Sequence, residues 1–147
     1  MLYFAYGANL NLRGMKRRCP RATALSVATL KGYRLEFRGF VTIAADVSGA
    51  VPGALFELTP ACWRALENYE GPDYEKIDVT VETAEGPRVA AAYIMSGGTR
   101  ASPTLAYFSE IARGYSDWKL DHGPLRRARI ATLHPEKPNR ISAKPAP

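Results

Sequence analysis

Three short segments carry side chains that could do chemistry. The first is Tyr6-Gly7-Ala8-Asn9-Leu10, where an apolar run ends in glycine and a helix-forming stretch begins. Glycine lets backbone N–H groups converge on an anionic or carbonyl oxygen, and a helix N-terminus adds partial positive charge. No Gly-Lys-Ser/Thr follows, so the segment is not a phosphate-binding P-loop. The second is Leu66-Glu67-Asn68-Tyr69-Glu70-Gly71, followed by Tyr74. Its two carboxylates are three residues apart, on one side of a helix end. A glutamate there opposes the helix macrodipole. Burial beneath Tyr69 or Tyr74 would raise the pKa of Glu70 toward the range of a useful general base. The third is Ser102-Pro103 followed by Tyr107 and Gly114, with Tyr107 displaced from the stripe of Leu105, Phe108 and Ile111. Taken singly, each segment has an ordinary reading: a strand-to-helix turn, a surface glutamate before a C-cap glycine, and a half-buried helical tyrosine.

Other chemistries find little material. Cys19 and Cys62 form no CxxC pair and sit beside no histidine, and no Gly-x-Ser-x-Gly elbow exists. A histidine-dependent triad would need His122 or His134, both close to the C-terminal end. Two histidines and two cysteines in four separate places make no zinc set, so neither a metal nor another cofactor is expected.

The elements that must position these residues follow from hydrophobic pattern and turn signals. Leu2–Tyr6 reads as a buried strand, with Asn9 as cap of a short helix through Lys16–Arg18. Ala24–Arg38 alternates in parts, with Lys31-Gly32 as a turn or bulge. Val41–Ala45 and Ala54–Leu58 read as separate strands, divided by the Ser48-Gly49 and Pro52-Gly53 turn signals. Thr59-Pro60 is a cap followed by a first-turn proline, opening a helix that puts Trp63 and Leu66 on one face and stops near Gly71-Pro72. Ile77, Val79 and Val81 mark a strand that turns at Glu85-Gly86-Pro87 into Arg88–Met95. Ser102-Pro103 repeats the cap signature for a helix to Gly114, and Leu125–Leu133 is compatible with a further short helix. Mostly antiparallel strands with inserted helices make an α+β fold, and their even spacing suits a small barrel. One domain is expected over residues 1–134, followed by a Pro-rich, disordered tail at 135–147.

Composition bounds the function class. At 147 residues, 46% hydrophobic and 23% charged, the chain has the mix of an ordinary folded soluble protein. Its longest apolar run, Val89–Met95, is far short of the roughly 20 residues that span a membrane. Met1-Leu2-Tyr3-Phe4 lacks the basic region of a signal peptide, and the cysteine usage suits a reducing compartment, so a cytoplasmic location is expected. Most of the +6 net charge falls after residue 118, in Lys119, Arg126, Arg127, Arg129 and the tail lysines. Such a tail attracts anionic surfaces weakly and without sequence preference, so nucleic acid is not expected as a partner. Arg13, Lys16, Arg17, Arg18 and Arg21 form a second basic cluster, and Glu67–Glu85 holds seven acids against Lys76 alone. Both read as solvated faces.

The order of the three segments is more telling than any one of them. A strand running into Tyr-Gly-x-Asn-Leu, a central Leu-x-x-Tyr-Glu-Gly-x-x-Tyr before an alternating strand, and a late Ser-Pro-x-x-x-Tyr helix resemble the γ-glutamylcyclotransferase-like family from Leu2 to about Tyr115. The family typically has Tyr-Gly-Ser-Asn-Leu, and Ala8 stands here in place of its serine. The resemblance implies a small, mostly antiparallel β-barrel with flanking helices. It implies Glu70 as the catalytic general acid/base, Tyr6, Gly7, Ala8, Asn9 and Leu10 as a substrate-binding loop, and Tyr107 as a pocket-lining residue. The expected reaction cyclises a small γ-glutamyl substrate to 5-oxoproline and expels an amine or amino acid, with no metal, membrane or nucleic acid taking part; a homodimer is left open. Two alternatives stand beside it. One is a γ-glutamylamine cyclotransferase acting on γ-glutamyl-ε-lysine isopeptides, whose cationic leaving group the acids of Glu67–Glu85 could attract. The other is a non-catalytic small-molecule or nucleic-acid binding module using Arg126, Arg127 and Arg129.

Overall fold

Leu2–Ala5 forms β1, pairs with a strand on each side, and buries Tyr3, Phe4 and Ala5. The computed structural model describes residues 1–134, so the expected tail at 135–147 lies outside the described residues. Five strands and four α-helices occur among the described residues. The strands are β1, β2 (Thr23–Arg38), β3 (Phe40–Glu57), β4 (Tyr74–Thr83) and β5 (Gly86–Met95). They close into a barrel in the order β1-β3-β2-β4-β5. All pairings are antiparallel except β1 with β5, joined at Tyr3 and Ala91. Phe4, Phe37, Leu55, Phe56, Val51 and Val81 are fully buried, with Phe56 turned toward the helices against Trp118. The helices are α1 (Leu12–Arg18), α2 (Pro60–Glu70), α3 (Leu105–Asp117) and α4 (Gly123–Ala131), and a 3₁₀ turn spans Ala8–Leu10. No described helix is long and apolar enough to cross a membrane.

Several local expectations are corrected by pairing. Val41–Ala45 and Ala54–Leu58 are parts of one strand, β3. Its ladder with β2 runs unbroken from Val51 to Ala54, so cross-strand pairing overrides the turn preference of Pro52-Gly53. Ser48-Gly49 instead marks an irregularity, where Asp46–Gly49 leave the ladder opposite the Lys31/Tyr33 register shift. Asn11 rather than Asn9 caps α1, accepting from the Gly14 N–H at 3.0 Å. Thr104 rather than Ser102 caps α3. The preceding Ala101 is tied to the end of β2, its N–H bonded to the Phe37 carbonyl and its carbonyl to the Gly39 N–H, so the helix cannot start before that tether. Leu105, expected in the core, is 70% exposed.

One contact sets how the helices sit on the barrel. Gly114 of α3 lies against the 3₁₀ turn so closely that a Cβ there would stand 2.6 Å from the Asn11 nitrogen and 2.7 Å from the Leu10 carbonyl carbon. Leu10 is fully buried beside Ile111 and Tyr115, worth about 1.5–3 kcal/mol for such a side chain. The Trp118 indole N–H donates to the Leu10 carbonyl at 3.0 Å. Gly114→Ala gains about 1 kcal/mol of helix propensity but overpacks against backbone, which costs about 1–3 kcal/mol or more. A net loss of stability in chemical denaturation is expected, while Gly97→Ala, with no neighbour in reach, stays within about 0.5 kcal/mol of the parent.

Candidate active site

The chain leaves β1 at Tyr6 and folds at once into the 3₁₀ turn, closed by Leu10 N–H to Gly7 O at 3.0 Å and Asn11 N–H to Ala8 O at 3.1 Å. The first amides of such a turn have no partner within it. Among the described residues, the Gly7, Ala8 and Asn9 N–H groups are paired with no backbone acceptor. Position 7 must be glycine for space: a Cβ there would lie 2.6 Å from Cγ1 of Val41. With Asn11 acting as the cap, Asn9 is free for another task. Its buried Nδ2 donates to the Tyr3 hydroxyl at 2.9 Å and lies 3.4 Å from Glu70 Oε2.

Glu70 is brought there by α2. Thr59 caps that helix through the Cys62 N–H, Pro60 opens it, Cys62, Trp63 and Leu66 bury its inner face, and Gly71 ends it with φ +81°. The last helical residue therefore meets the end of β1. Burial pushes the Glu70 carboxyl from its ordinary 4.5 up to about 7, against the opposing pull of the Arg18 charge.

Tyr3, Tyr6, Gly7, Ala8, Asn9, Val41, Glu70, Tyr74, Tyr93 and Tyr107 line one small pocket of about 30 Å³. Burial pushes the five phenols upward, so they stay neutral and can donate hydrogen bonds. The Tyr6 hydroxyl donates to the Tyr93 carbonyl. The Tyr74 hydroxyl donates to the Val41 carbonyl at 2.5 Å, and the Tyr107 hydroxyl accepts from the Val41 N–H at 3.1 Å. Two tyrosines thus hold both backbone groups of the residue that covers Gly7. The Tyr93 hydroxyl is buried without a partner among the described residues. In the same region, no group of three His, Cys, Asp or Glu side chains could hold a metal. The site therefore offers one carboxyl that titrates near neutrality, several neutral phenols and unpaired backbone amides.

The family described as gamma-glutamyl cyclotransferase, AIG2-like, matches residues 3–119. This chain belongs to that family. The gamma-glutamylcyclotransferases of Bos taurus and Homo sapiens are each 30% identical to it over 129 residues, covering 77% of this chain and 69% of theirs. A solved structure of a gamma-glutamyl cyclotransferase superposes with a TM-score of 0.76 at 26% identity, over 95% of this chain and 90% of that one. The gamma-glutamyl cyclotransferase family is an enzyme family, and the closed barrel with flanking helices is shared with that solved structure.

Within this gamma-glutamyl cyclotransferase fold, Tyr6, Gly7, Ala8, Asn9, Glu70 and Tyr107 line a single pocket. Leu10 does not; its side chain is in the core and anchors the turn from beneath. Tyr3, Val41 and Tyr93 are wall residues that sequence reasoning left in the strands, where an aromatic or valine looks like any other core residue. Arg18, grouped with solvated bases, instead donates from Nε to Asn9 Oδ1 at 2.8 Å. Nothing in its run of basic residues distinguishes it. Of the acids in Glu67–Glu85 only Glu70 reaches the pocket; Glu67 pairs with Lys76 at 3.3 Å, and Asp73, Glu75, Asp78, Glu82 and Glu85 are exposed. Arg129 packs its guanidinium over the Phe108 ring at 4.4 Å.

The raised pKa of Glu70 has a stability consequence. Protonation favours the folded state, so its contribution is complete below about 4.5 and is lost as pH rises through about 7. Ionising the buried carboxyl above that pH costs on the order of 2–3 kcal/mol. Glu70→Gln should therefore unfold at a higher temperature than the parent at pH 8.5, with the gap closing near pH 4; calorimetry across that range measures it.

Proposed function

We propose that the pocket cyclises a γ-glutamyl amide to 5-oxoproline and releases an amine or amino acid, with Glu70 as general acid/base. The observation that carries this reading is the half-buried Glu70 carboxyl, titrating near 7, in one pocket with the Gly7–Asn9 amides. The substrate contains its own nucleophile. Its α-nitrogen attacks the γ-carbonyl, a C–N bond forms in the five-membered lactam, and the bond to the leaving nitrogen breaks. Because the nucleophile is tethered, enforcing a folded conformer supplies about 7–11 kcal/mol of the barrier.

What remains is proton transfer and charge. The α-amine, with an ordinary pKa of about 8, is mostly ammonium at neutral pH and must lose a proton to attack. Glu70 accepts that proton as carboxylate and returns it to the leaving nitrogen. The second proton that the attacking nitrogen sheds on becoming the lactam N–H passes to the released amine, which departs as an ammonium, so no proton is gained or lost overall. A carboxyl near 7 suits both halves of this exchange, since donor and acceptor forms coexist at working pH. Ala8 supplies no hydroxyl, so the substrate carboxylate or the developing oxyanion falls to the backbone N–H groups of Gly7 to Asn9. The neutral phenols of Tyr6, Tyr74 and Tyr107 shape the wall without adding a competing base, and the unpaired Tyr93 hydroxyl is available to a polar substrate.

Glu70→Gln should lower kcat on γ-glutamyl-alanine by roughly 100- to 10,000-fold, the range for loss of a general acid/base. The parent's kcat/KM should rise with pH to a midpoint near 7, and the residual activity of the variant should lack that limb. Parent-like turnover by Glu70→Gln would sink the assignment. With the acids of Glu67–Glu85 outside the pocket apart from Glu70, no charge favours a cationic leaving group. γ-Glutamyl-alanine should be turned over faster than γ-glutamyl-ε-lysine in a direct comparison of lactam formation.

A further inference from the structure

Arg18 ends α1 and reaches back across the 3₁₀ turn. Besides its bond from Nε to Asn9 Oδ1 at 2.8 Å, it places one terminal nitrogen 3.3 Å from the Ala8 carbonyl and the other 3.6 Å from Glu110. Its guanidinium carbon stands 4.2 Å from the centroid of the Tyr69 ring, next in sequence to Glu70. The side chain is 16% exposed, so these contacts are partly shielded from water.

Two of the contacts decide orientation. An asparagine amide can turn either its oxygen or its nitrogen toward a neighbour. With a guanidinium donor on Oδ1, the NH₂ end is left to meet Tyr3 and Glu70, as observed. The Ala8 carbonyl shares a planar trans peptide with the Asn9 N–H, so holding that oxygen at Arg18 sends the N–H the opposite way.

We propose that Arg18 is a positioning residue for the reaction, its planar fork setting the Asn9 amide and the Ala8–Asn9 peptide, and through them the Glu70 carboxyl. The proposal rests on the reading of Glu70 as the proton carrier. Lysine cannot substitute, because a single ammonium lacks the fork that spans both acceptors. Arg18 also acts by charge. The phenols around the site, Tyr3, Tyr6, Tyr69, Tyr74, Tyr93 and Tyr107, are all shifted upward and neutral near pH 7. Glu110 on α3 lies on the Arg18 side and offsets part of its charge. The Arg18 cation is what opposes the burial of Glu70.

The test combines a titration with kinetics. The Glu70 carboxyl carbon is followed by NMR against pH in the parent, Arg18→Gln and Arg18→Lys. In Arg18→Gln the midpoint should move up by about half a unit or more. Its kcat on γ-glutamyl-alanine at pH 7 should fall about tenfold or more while KM changes by less than about threefold. Arg18→Lys should keep the midpoint and recover little of kcat. If Arg18 acts through Asn9, the double variant Asn9→Ala/Arg18→Gln should be within about twofold of the worse single variant. An unmoved midpoint in Arg18→Gln, full kcat in Arg18→Lys, or a double variant losing the product of the singles overturns the proposal. Should Arg18→Gln fail to fold, the kcat of Arg18→Lys decides alone. The titration needs no turnover, so it judges Arg18 even if Glu70→Gln proves active and the acid/base reading falls.

Discussion

Burial holds the Glu70 carboxyl half out of water, which raises its proton affinity into the neutral range and subordinates the surrounding residues to one titrating group. Water is what ordinarily keeps a glutamate ionised at neutral pH. Excluding it with phenols rather than aliphatic side chains keeps the wall polar, while burial keeps those phenols neutral. A second carboxylate in the same space would contest the proton, and none lines the pocket.

That arrangement survives only if its walls do not relax toward the carboxyl. β1 is paired on both sides, so the turn that follows it starts from a fixed point. Leu10 beneath and Gly114 behind hold the turn in place. Across the opening, Tyr74 and Tyr107 fasten the Val41 backbone from opposite ends of its peptide groups. A carboxyl with a raised pKa destabilises the folded state once it ionises, and the tightly packed barrel around β1 offsets that cost.

Much of this was legible before any coordinates. The Thr59-Pro60 cap and the Gly71 stop placed α2, and with it Glu70 at a helix end. The alternation of Ile77, Val79 and Val81 placed β4. What failed was local in character. Asn9 and Asn11 are equally good caps by type, and only Asn9's contacts with Tyr3, Glu70 and Arg18 assign it elsewhere. Ser48-Gly49 and Pro52-Gly53 both look like turns, and the β2 partner strand decides that one interrupts the ladder while the other is carried through it.

Residue order and type named a glutamate, a glycine-bearing loop and a tyrosine as one set through the resemblance to the gamma-glutamyl cyclotransferase family, because three spaced segments carry information that no single segment does. They also determined the α+β class, through hydrophobic periods that depend on nearest neighbours along the chain. The proximity of Asn9 to Glu70 depends instead on barrel closure across 61 residues, and no local preference encodes it. The same holds for Arg18, whose identity as a base was plain while its direction was not. A long, flexible side chain points where tertiary acceptors lie, and the Asn9 and Ala8 oxygens reach their places only when α3 presses the turn against β1.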